Sequence, residues 1–413
     1  MLNRENLNTS VCYYKIDKKI IFINKNNSKW FVINEIEFET YSNVIKNKKE
    51  NTKEYKKLEG KNFFDNVPKY SNKILQFYIT NICNLKCPHC YMRCDNESKK
   101  ELLLDEKKEV LKAFYENGGR KVIFTGGEVM MTPDFLELLE YTKIFPETYI
   151  LVLTNGTLWN EEKIRIASKY IDEVQISIDG YSEETNSKIR GKGAFSKALK
   201  CIENFLNQGI SVTLAMTPLY GFENEVENYC KFGIEIVNKY KDKDFYLVFA
   251  DGLLQGRNVE WSFDKNLIYA QASEKILNAI YPDYTVSAFA EIHSQPLQNC
   301  GYGKIVIDSN GDFSFCTCIK DIPKLGNIRN TPMKKVFEMA DGISQKTCID
   351  NLTPCKNCEF RYICGDKCRM EYFKETDIIS RVDNVPKMTL RSDCTENYKI
   401  TILKKMLESF ERI

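Results

Sequence analysis

Apolar residues in the first seventy positions come in three short bursts, VCYYKI, KIIFIN and KWFVIN, separated by segments rich in Lys, Asn and Asp. Short bursts with β-branched and aromatic side chains predict strands, and the polar spacers predict turns. The pattern then changes period, because IEFETYSNVIKN and TKEYKKLEGK space their apolar residues as helices do. Residues 1–70 therefore read as a small α+β unit of three strands and two helices. From residue 74 apolar runs alternate with longer amphipathic stretches. The predicted strands are ILQFYIT (74–80), KVIF (121–124), YILVL (149–153), EVQISI (173–178), SVTLAM (211–216) and FYLVF (245–249). Each gap is long enough for a helix, as in LLLDEKKEVLKAFYENG and GAFSKALKCIENFLNQG. Six strand–helix repeats predict a parallel α/β sheet with right-handed crossovers, curled into a partial barrel or open and doubly wound. Either form collects reactive groups at the carboxyl ends of its strands. Beyond about residue 283 the chain turns cysteine-dense and loop-like, and ITILKKMLESF predicts a closing helix.

Composition narrows the chemistry. Among 413 residues there are 16 cysteines and two histidines, His89 and His293. A histidine-based triad or a multi-histidine zinc site has almost no material. The segment MLNRENLNTS lacks an apolar signal core, and no run approaches the roughly 18 apolar residues of a membrane span. The expectation is a cytoplasmic protein with no membrane partner. In that reducing compartment clustered cysteines read as metal ligands or catalytic thiols before disulfides. Basic and acidic side chains number 59 and 57, a net charge of +2, which gives no electrostatic case for a nucleic-acid partner.

Cys83, Cys87 and Cys90 stand in CNLKCPHC directly after the first strand of the repeat region. Iron–sulfur cubes normally take four thiolates, so three leave one iron open to a small ligand. Taken alone, the three cysteines also suit zinc. Two further motifs fall at later strand ends: Gly126-Gly127-Glu128 after the second strand, and Ser177 with Asp179 in QISIDG after the fourth.

The CxxxCxxC loop with these companions resembles the radical S-adenosylmethionine superfamily. The resemblance implies a partial (β/α)6 TIM-like barrel over 71–282. It also implies a 4Fe–4S cluster on Cys83, Cys87 and Cys90 whose open iron chelates S-adenosylmethionine and whose electron releases a 5′-deoxyadenosyl radical. The cofactor carries the hard chemistry and the protein positions it. In this likeness Gly126, Gly127 and Glu128 hold the methionine amino group, and Ser177 and Asp179 contact the ribose. Arg190, in KIRGKGAF, pairs with the cofactor carboxylate, Asn155 of TNG joins the pocket, and His89 takes the place of an aromatic near the adenine. Cys94 reads as an incidental thiol, and Cys12, Cys201 and Cys230 as packing residues.

Downstream, ten residues separate Cys300 from Gly311 and four separate Gly311 from Cys316; then come Cys355-x2-Cys358-x5-Cys364-x3-Cys368 and Cys394. The arrangement resembles the SPASM domain, here over 283–396 and followed by a helix at 397–413. Two zinc ribbons would use CxxC pairs equally well. The resemblance implies two auxiliary 4Fe–4S clusters, making three in all. Cys300, Cys316 and Cys368 would serve the nearer one, which Cys318 or Cys348 could complete or a substrate thiolate could enter. Cys355, Cys358, Cys364 and Cys394 would serve the outer one.

Residues 1–70 are similar in size and pattern to the recognition element that binds the leader of ribosomally made peptides; a structural extension would look the same at this level. Together the parts imply a maturase that takes hydrogen from a precursor peptide and installs a crosslink, with a thioether favoured if the nearer cluster is open. An external electron donor such as flavodoxin or ferredoxin is implied. An anaerobic sulfatase maturase shares the barrel and extension, and a multi-cluster electron carrier or redox sensor shares only the cysteines.

Overall fold

The computed structural model describes residues 4–67, 74–94, 100–282, 298, 303–316, 324–364 and 396–410. These fall into two compact units: one takes in 72–282 and 303–341, the other 1–71, 283–302 and 342–413.

The second of these units is built on an antiparallel sheet of β1 (Arg4–Asn6), β2 (Val11–Ile16), β3 (Lys19–Asn24) and β4 (Trp30–Asn34), in that order. The polar triplet of β1 carries no strand signal, so the sheet has four strands where the apolar pattern predicts three. Strand alternation explains why the other three read as nearly continuous apolar runs, because both faces are covered. On one face Tyr13, Phe22 and Phe31 lie in register across three strands. They pack with Tyr41 and Ile45 of α1 (Phe38–Lys46), Leu58 of α2 (Lys53–Glu59) and Phe63. The Phe22 and Phe31 rings stack at 5.0 Å. On the other face Cys12, Tyr14, Ile21, Ile23, Trp30 and Val32 meet Phe360, Ile363, Ile402, Leu403 and Met406. That second cover comes from more than three hundred residues along the chain, from the turn before Cys364 and from the helix Glu396–Phe410. Buried Glu359 ties the same elements, accepting hydrogen bonds from the Tyr14 hydroxyl and, at 3.0 Å, from Arg4 Nε.

The larger unit holds β5 (Ile74–Tyr78), β6 (Lys121–Thr125), β7 (Tyr149–Thr154), β8 (Glu173–Ser177), β9 (Ser211–Met216) and β10 (Phe245–Phe249). All six are parallel and stand in sequential order. The sheet stays open. At its β5 edge it continues with β11 (Ile305–Ile307), parallel to β5, then with antiparallel β12 (Asp312–Ser314) and β13 (Gly326–Asn327). Stretch 303–341, grouped by its cysteine pattern with the C-terminal region, thus extends this sheet. Between the parallel strands run α3 (Leu104–Glu116), α4 (Phe135–Lys143), α5 (Glu161–Ala167), α6 (Glu183–Arg190), α7 (Ala194–Asn207) and α8 (Val226–Lys239), and α9 (Phe263–Ile280) follows β10. Register puts Phe77, Phe124, Val152, Val174, Val212 and Leu214 on one buried face, where Phe135 of α4 meets Phe124 at 5.7 Å. The opposite face carries Gln76, Tyr78, Thr125, Gln175, Ser177 and Thr213, a polar set that alternation places together. No helix among the described residues is long and apolar enough to cross a membrane.

Candidate active site at the carboxyl end of the sheet

The loop after β5 is braced before its first cysteine. Glu101 accepts from Thr80 Oγ1 at 3.0 Å and from Asn81 N at 2.6 Å, and Ile82 N donates to Thr80 Oγ1 at 3.0 Å. The loop after β6 lies directly on it: Gly127 N donates to Thr80 O at 2.8 Å and Glu128 N to Ile82 O at 2.9 Å. A Cβ on Gly127 would stand 2.1 Å from Ile82 O, and one on Gly126 2.5 Å from Thr80 O. The glycines are therefore required by the approach of one backbone to another, and only through that by any ligand. From the far side, Asn258 N donates to Pro88 O at 2.8 Å, Arg93 Nε to Gly256 O at 3.3 Å, and Arg257 Nη2 to Cys94 O. The cysteine loop is held from both ends.

Cys83, Cys87 and Cys90 line one cavity of about 350 Å³, together with His89, Gly126, Gly127, Asn155, Ser177 and Arg190. Nine of the eleven residues singled out in this part of the sequence thus share one space. The other two stand behind it. Glu128 is 1% exposed, and its carboxylate accepts from Thr154 Oγ1 (2.6 Å), Asn155 N (2.8 Å) and Met130 N (3.3 Å), so that it fastens the loop after β7. Burial raises its pKa. Asp179 is fully buried and accepts from Arg190 Nε at 2.6 Å and Thr217 N at 2.9 Å, with His89 Nε2 at 3.4 Å. It orients the cavity-lining Arg190, His89 and Thr217. Asn186 Oδ1 in turn accepts from Asp179 N at 2.9 Å, which fixes the turn after β8. Asn155 spends its amide on Asn84 Oδ1 at 3.0 Å, tying the cysteine loop to the loop after β7.

The thiols differ in their surroundings. Burial pushes the Cys83 thiol up to about 11 and raises Cys87, which the Arg190 charge draws back down. The Cys94 thiol, hydrogen-bonded to Cys90, holds Cys90 down at about 5. Burial lowers His89. Cys94, read from sequence as incidental, is buried in the cavity wall; Tyr91, Gln175, Thr217, Leu253 and Leu254, which the sequence does not single out, also line the cavity. Only Gln175 had a signal, since it stands two residues before Ser177 on the same strand face.

The donor set suits the group that the motif implies. Three thiols on one loop, a basic guanidinium and the polar strand ends Ser177 and Thr217 face a single space large enough for a cluster and part of a small cofactor. Cys83, Cys87 and Cys90 would hold the cluster. Arg190, Ser177 and the backbone of Gly126 and Gly127 would meet the cofactor.

In the other unit Cys355, Cys358 and Cys364 line a cavity of about 340 Å³ with Phe360, Tyr398, Lys399 and Ile402. A tight turn sets the first two, with Cys358 N donating to Cys355 O at 2.8 Å, and Cys364 N donates to Phe360 O at 2.8 Å. This set also suits a thiolate-bound cluster. Cys300, Cys318, Cys368 and Cys394 lie outside the described residues. Cys316, just past β12, and Cys348 are half-buried, and Asn351 Nδ2 donates to Cys348 Sγ at 3.6 Å. Cys12 and Cys201 are buried, as packing residues are, and Cys230 is half-buried on α8.

Fold and site define a class: residues 77–233 match the radical SAM superfamily. That stretch is the part of the chain that resembles radical SAM proteins. It is 28% identical over 276 residues to the antilisterial bacteriocin subtilosin biosynthesis protein AlbA of Bacillus subtilis (strain 168), across 63% of this chain and 58% of that protein. The chain therefore spans little more than half the length of that relative. Among solved structures it resembles SuiB of Streptococcus suis, with 18% identity, a TM-score of 0.54, and coverage of 95% of this chain and 100% of that one. SuiB has also been solved with S-adenosylmethionine and with its precursor peptide SuiA. A second likeness is to anSMEcpe with bound AdoMet, with 21% identity, a TM-score of 0.59, and coverage of 82% and 97%. At these identities the structures speak for the fold.

A Gly127→Ala substitution tests the loop packing. The new methyl meets backbone that two hydrogen bonds hold in place, a form of overpacking that costs about 1–3 kcal/mol. The expected result is a melting temperature lowered by several degrees and a first cluster that loads incompletely, read by thermal melting and bound iron. An unchanged melting temperature and iron content would mean that the two loops part freely.

Proposed function

We propose that this chain is a radical S-adenosylmethionine peptide maturase that installs a crosslink, a thioether first among the candidates, in a ribosomally made precursor peptide. The observation that carries this reading is the gathering of Cys83, Cys87 and Cys90 with Arg190, Ser177 and the Gly126–Gly127 backbone around one cavity. When bound there, an iron–sulfur cube with an open iron and S-adenosylmethionine supply a hydrogen-abstracting radical. The protein's part is to hold the cluster, orient the cofactor's polar end and enclose the reaction. For a thioether the peptide gives up a carbon-bound hydrogen atom, a thiol proton and one further electron as a C–S bond forms. An auxiliary cluster held by the cysteines of the other unit would supply an acceptor for that electron. Cys355, Cys358, Cys364 and Cys394 are assigned to the outer auxiliary cluster. Cys300, Cys316 and Cys368 are assigned to the nearer one, which Cys318 or Cys348 would complete or the peptide's thiolate would enter. Residues 1–70 are assigned to leader recognition, by strand addition at a sheet edge. AlbA's part in subtilosin biosynthesis and the complex of SuiB with SuiA support a peptide substrate.

Anaerobic co-expression with a short cysteine-containing peptide encoded beside the gene tests the proposal, with mass spectrometry as readout. A loss of two hydrogens per crosslink, abolished when the leader is removed from the peptide, is the expected result. Conversion of a cysteine to an aldehyde without need of a leader would replace this reading with sulfatase maturation. Failure of the reduced protein to cleave S-adenosylmethionine would leave only an electron carrier.

A further inference from the structure

We propose that Tyr398 sets the redox poise of the outer auxiliary cluster by donating a hydrogen bond to the thiolate of Cys364, with Lys399 adding positive charge to the same wall. The inference deepens the reading of Cys355, Cys358 and Cys364 as cluster ligands and rests on it.

The helix Glu396–Phe410 begins two residues after Cys394 and, from sequence, reads only as a closing segment. Its first turn brings two polar side chains to the cysteine cavity. Tyr398 Oη lies 3.2 Å from Cys364 Sγ, and Lys399 lines the same space. Farther along, Ile402, Leu403 and Met406 lock the helix against the four-stranded sheet, so the hydroxyl is presented by a fixed element. Between a thiol and a phenol either group can donate. Once Cys364 is bound to iron it has no proton, and the hydroxyl alone can be the donor. A donor on a ligand sulfur stabilises the reduced, more negative cluster over the oxidised one and raises its potential. An ammonium nearby acts in the same direction. Such a setting suits a cluster that must take an electron from a substrate.

The test uses the full chain carrying Cys83→Ala, Cys87→Ala and Cys90→Ala, which removes the first cluster. The protein is reconstituted anaerobically with iron and sulfide and titrated with dithionite under electron paramagnetic resonance. The outer cluster is the signal lost on adding Cys358→Ala. Tyr398→Phe should keep its iron while the reduced-to-oxidised ratio at fixed potential falls about tenfold, a shift of about 59 mV for a one-electron couple. Lys399→Gln should shift it the same way by less. Replacing Tyr398 with 3-fluorotyrosine, nearly equal in shape but a stronger donor, should move the potential upward. This second measurement decides the matter if Tyr398→Phe fails to load iron. An unmoved potential in both Tyr398 proteins overturns the tuning role and leaves the cluster assignment standing. No iron uptake in the triple-alanine parent overturns the assignment itself.

Discussion

Replacing any one of Cys83, Cys87 or Cys90 with alanine is expected to reduce S-adenosylmethionine cleavage to background, measured as 5′-deoxyadenosine released under reducing conditions. The three thiols line one cavity, with Cys94 beside them, and their loop is pinned by Glu101 at one end and by the backbone of Gly256 and Asn258 at the other. A pinned loop has little freedom to move Cys94, the other thiol in the cavity wall, into a vacated ligand position. Two thiolates hold a cube poorly, since such clusters take their stability from cysteine ligation. Bound iron should fall and not vanish, because the thiols of the other unit remain. A variant with one alanine that still cleaved the cofactor would show that the radical chemistry has been put in the wrong place.

Deleting residues 1–67 is expected to collapse the unit that contains Cys355, Cys358 and Cys364, a larger effect than loss of peptide binding alone. The deletion strips the cover from Phe360, Ile363, Ile402, Leu403 and Met406, all buried. Each such side chain gains about 1.5–3 kcal/mol from burial. Losing five is comparable with the 5–15 kcal/mol, roughly, that stabilises a typical domain. Glu359 would lose Arg4 and Tyr14 as well, leaving a buried carboxylate without those donors. Iron content, thermal melting and aggregation of the shortened chain are the readouts. A soluble, fully iron-loaded product would mean that the sheet is an independent appendage. Leader dependence is accordingly better tested by shortening the peptide than by shortening the enzyme.

The parallel strands were legible because VIF, ILVL and VTLAM are apolar on the helix-covered face and bounded by turns, a local property of sequence. The polar alternation of Gln175 and Ser177 was equally visible once the strand was drawn. What lay beyond reach depends on partners distant along the chain. Nothing near Glu128 reveals that Thr154 and Asn155 claim its carboxylate, and nothing near Asp179 shows that Arg190 and His89 converge on it. The triplets Arg4–Asn6 and Ile305–Ile307 are too short to announce strands, and each becomes one by pairing with a longer neighbour. The double cover of the amino-terminal sheet was hinted at by VCYYKI and KIIFIN, runs too continuous for a sheet with one wet face, but the identity of the second cover was not encoded nearby.

That second cover carries a consequence for biosynthesis. Strands β2–β4 keep one greasy face bare until the helix Glu396–Phe410 has been translated, a delay on the order of tens of seconds at ordinary elongation rates. Contacts of such long sequence separation also form late once the chain is free. Newly made molecules should therefore lean on chaperones during that interval, and iron delivery to Cys355, Cys358 and Cys364 should follow synthesis of that helix.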